Sequence, residues 1–143
     1  MIFISAGNNE QSFIRLFKSF ENIFFKLKKK NLKVICQVGY TDYRNKNFQI
    51  IKFLEKKKFN ELVKKSSLFI SHAGAGSVID SIKNKKIPIL LPRKKNFKEH
   101  VDNHQIELYN KLIKLNLASP FSQIYSMSNK KFKRKNSKKK IIL

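Results

Sequence analysis

The segment SLFISHAGAGSVIDSIKN (residues 67–84) interrupts an apolar run with His72 and then places two glycines, Gly74 and Gly76, before Ser77. The spacing after the glycines predicts a short helix that carries Asp80. A glycine lets the backbone turn tightly and approach a ligand without a Cβ in the way. Free amides and the positive dipole end of the following helix would then favour an anion. Two readings of Ser77 stand side by side: it caps the helix in a plain strand-to-helix turn, or it donates its hydroxyl to a phosphate. No GK[ST] follows, so this is not a P-loop, and Ile79 occupies the place of the third glycine of GxGxxG. Asp80 is either an ordinary helix residue or a contact for ribose hydroxyls. His72 is either a strand-end structural residue or part of a cleft.

A second stretch, PRKKNFKEHVDNHQIEL (residues 92–108), joins a strand-terminal proline and arginine through a loop to a helix start rich in His, Asp, Asn and Gln. Such side chains make directional hydrogen bonds of the kind that read sugar hydroxyls. His100 and His104 are four apart and would share a helix face. Val101 stands where the HExxH zinc pattern needs glutamate, so no metal site is expected.

Elements that would position these residues follow from apolar spacing. Strands are expected at 1–7, 32–39, 48–54, 67–74 and 87–92, mostly as continuous apolar runs. Helices are expected at 12–29, at 58–65, after Gly76, and from Glu99 to Leu115, with Val101, Leu108, Leu112 and Leu115 on the inner face. Alternating strands and helices of this kind imply an α/β fold, a parallel sheet with helices on both faces. Ligands of such sheets sit beyond the carboxyl ends of the strands, where Gly7-Asn8-Asn9, Gly39-Tyr40-Thr41 and the 72–77 loop would lie. Residues 1–120 are read as the domain. After Pro120 the pattern fails, and 121–143 are read as a basic, disordered tail.

The 143 residues carry 32 Lys+Arg against 9 Asp+Glu, a net charge of +23, which favours anionic partners. The sequence shows neither a helix-turn-helix, nor RNP aromatics, nor zinc-finger spacing, so specific nucleic-acid binding is not expected; a generic basic nucleic-acid-binding protein remains the competing class. Cys36 is the one cysteine and lies in an apolar run, which suits a buried thiol in a reducing compartment. No run approaches the roughly 18 apolar residues of a spanning helix, and no signal peptide is visible.

Taken together, SAGNNEQSFIRL, QVGY, SHAGAGSVIDSI and PRKKNFKEHVDNHQIEL resemble the C-terminal, nucleotide-sugar-binding domain of family 28 glycosyltransferases over about residues 1–118. The small catalytic subunits of two-component enzymes are most similar: those of bacterial exopolysaccharide and capsule β-1,4-galactosyltransferases, and of the UDP-GlcNAc transferase of lipid-linked oligosaccharide synthesis. The resemblance implies a Rossmann-like donor-binding half of a GT-B fold. It implies an inverting hexosyltransferase that moves galactose or GlcNAc from UDP to a lipid-linked saccharide, without cofactor or metal. By the same likeness Gly74, Ala75, Gly76 and Ser77 hold the diphosphate and Asp80 the ribose. Asn103, His104 and Gln105 contact the donor sugar, Gly7 and Asn8 face the pyrophosphate, and His72 and Arg93 border the cleft. His72 is the one candidate for a catalytic role; otherwise the base belongs to an acceptor domain. That implies a membrane-associated, acceptor-binding partner subunit and a cytoplasmic protein held at the inner face of the membrane. The lysine-rich tail is a candidate contact with anionic lipid. An inactive, partner-binding paralogue is the other alternative. The first loop reads Ala6-Gly7-Asn8 where the family usually has Gly-Thr.

Overall fold

Six short strands make one parallel sheet in the computed structural model, which describes residues 1–26 and 31–127. They are β1 (Ile2–Ser5), β2 (Val34–Gln37), β3 (Gln49–Ile51), β4 (Leu68–Ser71), β5 (Ile89–Leu90) and β6 (Ser119–Pro120), in the order β3-β2-β1-β4-β5-β6. Strands β1, β2 and β4 are buried at every residue, which explains their unbroken apolar runs.

Alternate residues of these strands feed two cores. Ile2, Ile4, Val34, Cys36, Leu68 and Ile70 face α1 (Ile14–Phe24), which buries Leu16, Phe17, Phe20 and Ile23. Phe3, Ile35 and Phe69 face the other way, against Phe59, Leu62 and Val63 of α2 (Lys56–Lys65). A third cluster joins Val78 of α3 (Ala75–Lys83) to Leu90 and to Leu112 of α4 (His104–Lys114). Helices therefore cover both faces of the sheet, as the strand–helix alternation implies.

Cys36 is fully buried, and burial pushes its thiol up to about 12. An aromatic disulfide reagent is expected to leave the native protein unlabelled and to titrate one thiol once urea unfolds it. Labelling of the folded chain at the free-thiol rate would contradict this placement.

Three expectations need correction. The helix read from Glu99 begins instead at His104. Lys98 takes a left-handed φ of 56° after a 3₁₀ turn at Lys95–Phe97, and Glu99 is held by loop contacts described below. Val101 thus lies outside the helix and is exposed; Leu115, at the helix C-cap, is 59% exposed rather than core. The pattern also continues past Pro120. Phe121 and Ile124, the latter in α5 (Gln123–Met127), pack into the core beside α1, so the fold extends beyond the boundary read at 120. Leu27 and the basic stretch 128–143 lie outside the described residues. Among the described residues no helix is long and apolar enough to cross a membrane.

Candidate functional site

The strand order reverses between β1 and β4, and the carboxyl ends of β1, β2 and β4 meet there. Such a switch point is where open α/β sheets bind ligands. Gly7 and Gly39 both have positive φ, 72° and 57°. A Cβ on Gly39 would stand 2.7 Å from the Gly7 carbonyl oxygen. A Cβ on Gly7, or on Gly74, would overlap the His72 ring. Three of the four glycines are therefore small to let the protein pack on itself. Gly76 is the exception: a Cβ there would meet nothing within 4 Å, so the first turn of α3 is open.

Hydrogen bonds at His72 fix its chemistry. The Arg93 amide donates to Gln105 Oε1 at 3.1 Å. An amide N–H can only donate, so the Gln105 NH₂ faces His72 Nδ1 at 3.2 Å and donates to it. Nδ1 is then an acceptor, and Nε2–H points to Ser77 Oγ at 3.3 Å. The pattern assigns a neutral Nε2–H tautomer. Ser77 Oγ accepts from the ring, which leaves its own proton to donate outward. Burial, followed by the nearby Arg93 charge, pushes the His72 pKa down to about 3. Both ring nitrogens are engaged, so this ring has no lone pair open to an incoming hydroxyl.

A pH dependence follows. The folded pKa lies below the unfolded value of about 6.5, so the unfolded chain takes the proton first as pH falls. The stability from neutral His72 is full above that value and is lost on acidification, at up to about 1.4 kcal/mol per pH unit. Urea unfolding between pH 7 and pH 5 should show this slope, and His72→Asn should flatten it. An unchanged slope in the variant would count against the buried neutral ring.

Ser77 does not cap α3. The N-cap is Gly74, no side chain caps the turn, and the first bond of the helix runs from Val78 N to Gly74 O at 3.1 Å. The amides of Ala75, Gly76 and Ser77 are thus the orphan donors of a helix start, beside the Ser77 hydroxyl.

Arg93 occupies a different place from the one expected. It is 1% exposed and turned into the protein. Its Nη1 donates to the carbonyls of Gln11 at 2.6 Å and Glu99 at 2.9 Å, and its Nη2 to Ala6 at 2.6 Å. The guanidinium also lies 4.8 Å from the Phe13 ring centroid. Burial lowers its pKa to about 10, with Glu99 opposing, so it stays charged at neutral pH. Glu99 in turn binds Arg15 through Nε and Nη2 and accepts from the Lys94 amide. Arg15 Nη2 donates to the Pro92 carbonyl as well. The conspicuous charges of PRKKNFKE therefore fasten the β5 loop to the loop after β1 and to α1. Thr41 Oγ1 and Ser5 Oγ complete that first loop by accepting from Phe13 N and Gly7 N.

The remaining residues separate. Asp80 lies three residues beyond Ser77, one turn along α3, and is half-buried. Asn8 is exposed at the rim of the first loop. Gln105 is buried, with both ends of its amide used by Arg93 and His72. Asn103 Oδ1 accepts from the Lys95 amide at 3.1 Å. His104 is exposed and pairs with Glu107, then Asp102, which raise its pKa. Among the described residues no three His, Cys, Asp or Glu side chains are grouped to hold a metal ion. An aromatic pair went unread in the sequence. Phe53, past the end of β3, meets Tyr40 edge-on at 5.1 Å, and both are exposed beside Gly39. Apolar periodicity assigns Phe53 to a strand and carries no sign of this rim position.

Sheet, switch point and open helix start define a Rossmann-like α/β domain of the type found in GT-B glycosyltransferases. Solved structures agree: the glycotransferase of kitacinnamycin superposes with a TM-score of 0.65 at 12% identity, over 90% of this chain and 34% of that one. CalG4, the calicheamicin glycosyltransferase, gives 0.61 at 15% identity, over 89% and 31%. The sequence matches the glycosyltransferase family 28 C-terminal domain over residues 1–140, and the chain belongs to that family. It is 32% identical over 84 residues to the UDP-N-acetylglucosamine transferase subunit ALG13 of Candida albicans. That match takes in 59% of this chain and 27% of the relative's length.

Proposed function

We propose that the domain binds a UDP-sugar, UDP-GlcNAc before UDP-galactose, for transfer of the hexose to a lipid-linked acceptor carried by a second, membrane-associated subunit. The observation that carries the reading is the open first turn of α3 at the switch point, with free amides at 75–77 and the Ser77 proton aimed outward. The diphosphate would rest on those donors, which stabilise the leaving UDP as charge develops. Arg93 takes no direct part in this, because its guanidinium is committed to backbone carbonyls. His72 and Gln105 are positioning residues that set the direction of the Ser77 hydroxyl. In this reading Asp80, one turn along α3, takes the ribose, and one exposed ring of the Tyr40–Phe53 pair takes the base. The relative's name supports both the sugar and the subunit arrangement. In this reading the acceptor-side base comes from the partner, and the protein works at the cytoplasmic face of a membrane.

Gly76→Ala separates binding from folding. Alanine at an unobstructed helix position should stabilise the free protein by about 0.5 kcal/mol. The same methyl would stand where the diphosphate rests. In thermal unfolding, UDP-GlcNAc at about a hundred times its Kd should add about 2.7 kcal/mol to the unmodified chain, ATP and NAD nothing, and Gly76→Ala should lose most of the gain. If UDP-GlcNAc stabilises both proteins equally, the site lies elsewhere.

A further inference from the structure

The β5 loop presents a second surface that the donor site does not use. Phe97 is 53% exposed and Val101 69% exposed, although both belong to a firmly built segment. The loop is fastened at its base by Arg93 and by the Arg15–Glu99 pair, and it is closed by the bond from Lys95 N to Asn103 Oδ1. Lys98 adopts a left-handed conformation directly after Phe97. The Phe97 ring is flanked by cations, Arg15 at 5.1 Å and Lys94 at 5.7 Å from its centroid. Lys95 and Lys98 are exposed beside it. Of the acidic groups nearby, Glu99 is buried against Arg15, while the half-buried Asp102 and exposed Glu107 lie against His100 and His104, which offset them only when protonated.

We infer that the tip of this loop, Phe97 and Val101 ringed by Lys94, Lys95 and Lys98, docks on an anionic phospholipid bilayer. Charge complementarity selects the occupant. Each well-placed lysine contributes attraction to an anionic leaflet, and apolar side chains projecting from a basic rim insert at the headgroup boundary. The loop follows the carboxyl end of β5, so docking would bring the switch-point end of the sheet toward the bilayer. The inference is independent of the donor reading and needs no nucleotide.

The chain has no tryptophan, so Phe97→Trp places a single reporter on the loop of the full-length protein. Phe25, 70% exposed after α1, serves as the control position for a second tryptophan variant. Added phosphatidylglycerol-containing vesicles should shift Phe97→Trp emission to the blue, and acyl-brominated lipid should quench it. Phosphatidylcholine vesicles should do far less, and Phe25→Trp should stay unshifted. Replacing Lys94, Lys95 and Lys98 with glutamine should weaken partitioning about a hundredfold. No response from the loop tryptophan, or equal responses at both positions, overturns the inference. So does a Phe97→Trp shift with polyuridylate but not with vesicles, which would make the partner a nucleic acid.

Discussion

Arg93→Met is expected to destabilise the protein by about 4 kcal/mol, because it strips donors from three buried or part-buried carbonyls at once. Each unpaired carbonyl costs about 1–3 kcal/mol. Relief of the buried charge offsets part of that sum, and methionine keeps only the packing on Phe13. In urea the midpoint should fall by about 2 M at an m-value of about 2 kcal/mol/M. Arg93→Lys should recover little, since one ammonium cannot span the carbonyls of Ala6, Gln11 and Glu99 in a fixed fork. A midpoint shift below about 0.5 M for methionine would mean that the loops hold their shape without the guanidinium.

The second large effect concerns the glycines around His72. Gly7→Ala should cost about 3 kcal/mol: its φ of 72° is strained for alanine, and the methyl overlaps the imidazole. Gly74→Ala has an ordinary φ of −80° and should cost about 2 kcal/mol from the overlap alone. A His72→Ala background distinguishes the two causes. With the ring gone, Gly74→Ala should become nearly neutral, while Gly7→Ala should keep about 1–2 kcal/mol of backbone strain. Urea unfolding of the single and double variants measures the coupling. Additive effects for the His72–Gly74 pair would show that the ring is not what the glycine accommodates.

Much of the fold was legible because it is local. The runs IFIS, VICQ and LFIS are strands of four buried residues, and continuous apolarity announces them. The regular spacing of Leu16, Phe17, Phe20 and Ile23 announces α1. What was not legible depends on distant partners. Arg93 read as a charge bordering the cleft, and Glu99 as a helix start, because their partners Ala6, Gln11 and Arg15 are more than eighty residues away. The same contacts, with the left-handed Lys98, cut the helix pattern short at its start. Phe121 and Ile124 were hidden among polar residues, where two apolar positions make no period. At the site, sequence marked the glycines as points of close approach, but what approaches three of them lies elsewhere in the chain. Gly7, Gly39 and Gly74 yield space to protein atoms, and Gly76 alone yields it to the outside.

The span of the Arg93 bonds has a consequence for how the chain acquires its shape. Residues 6–11 are synthesised well before the groups that hold them, which come from the β5 loop, 82 and 87 positions later. Loop closure over such separations is slow relative to local structure. On the ribosome the β1–α1 turn therefore lacks these bonds until β5 has emerged and docked, so the end of the sheet that carries the glycines should become rigid after the strands beneath it have paired.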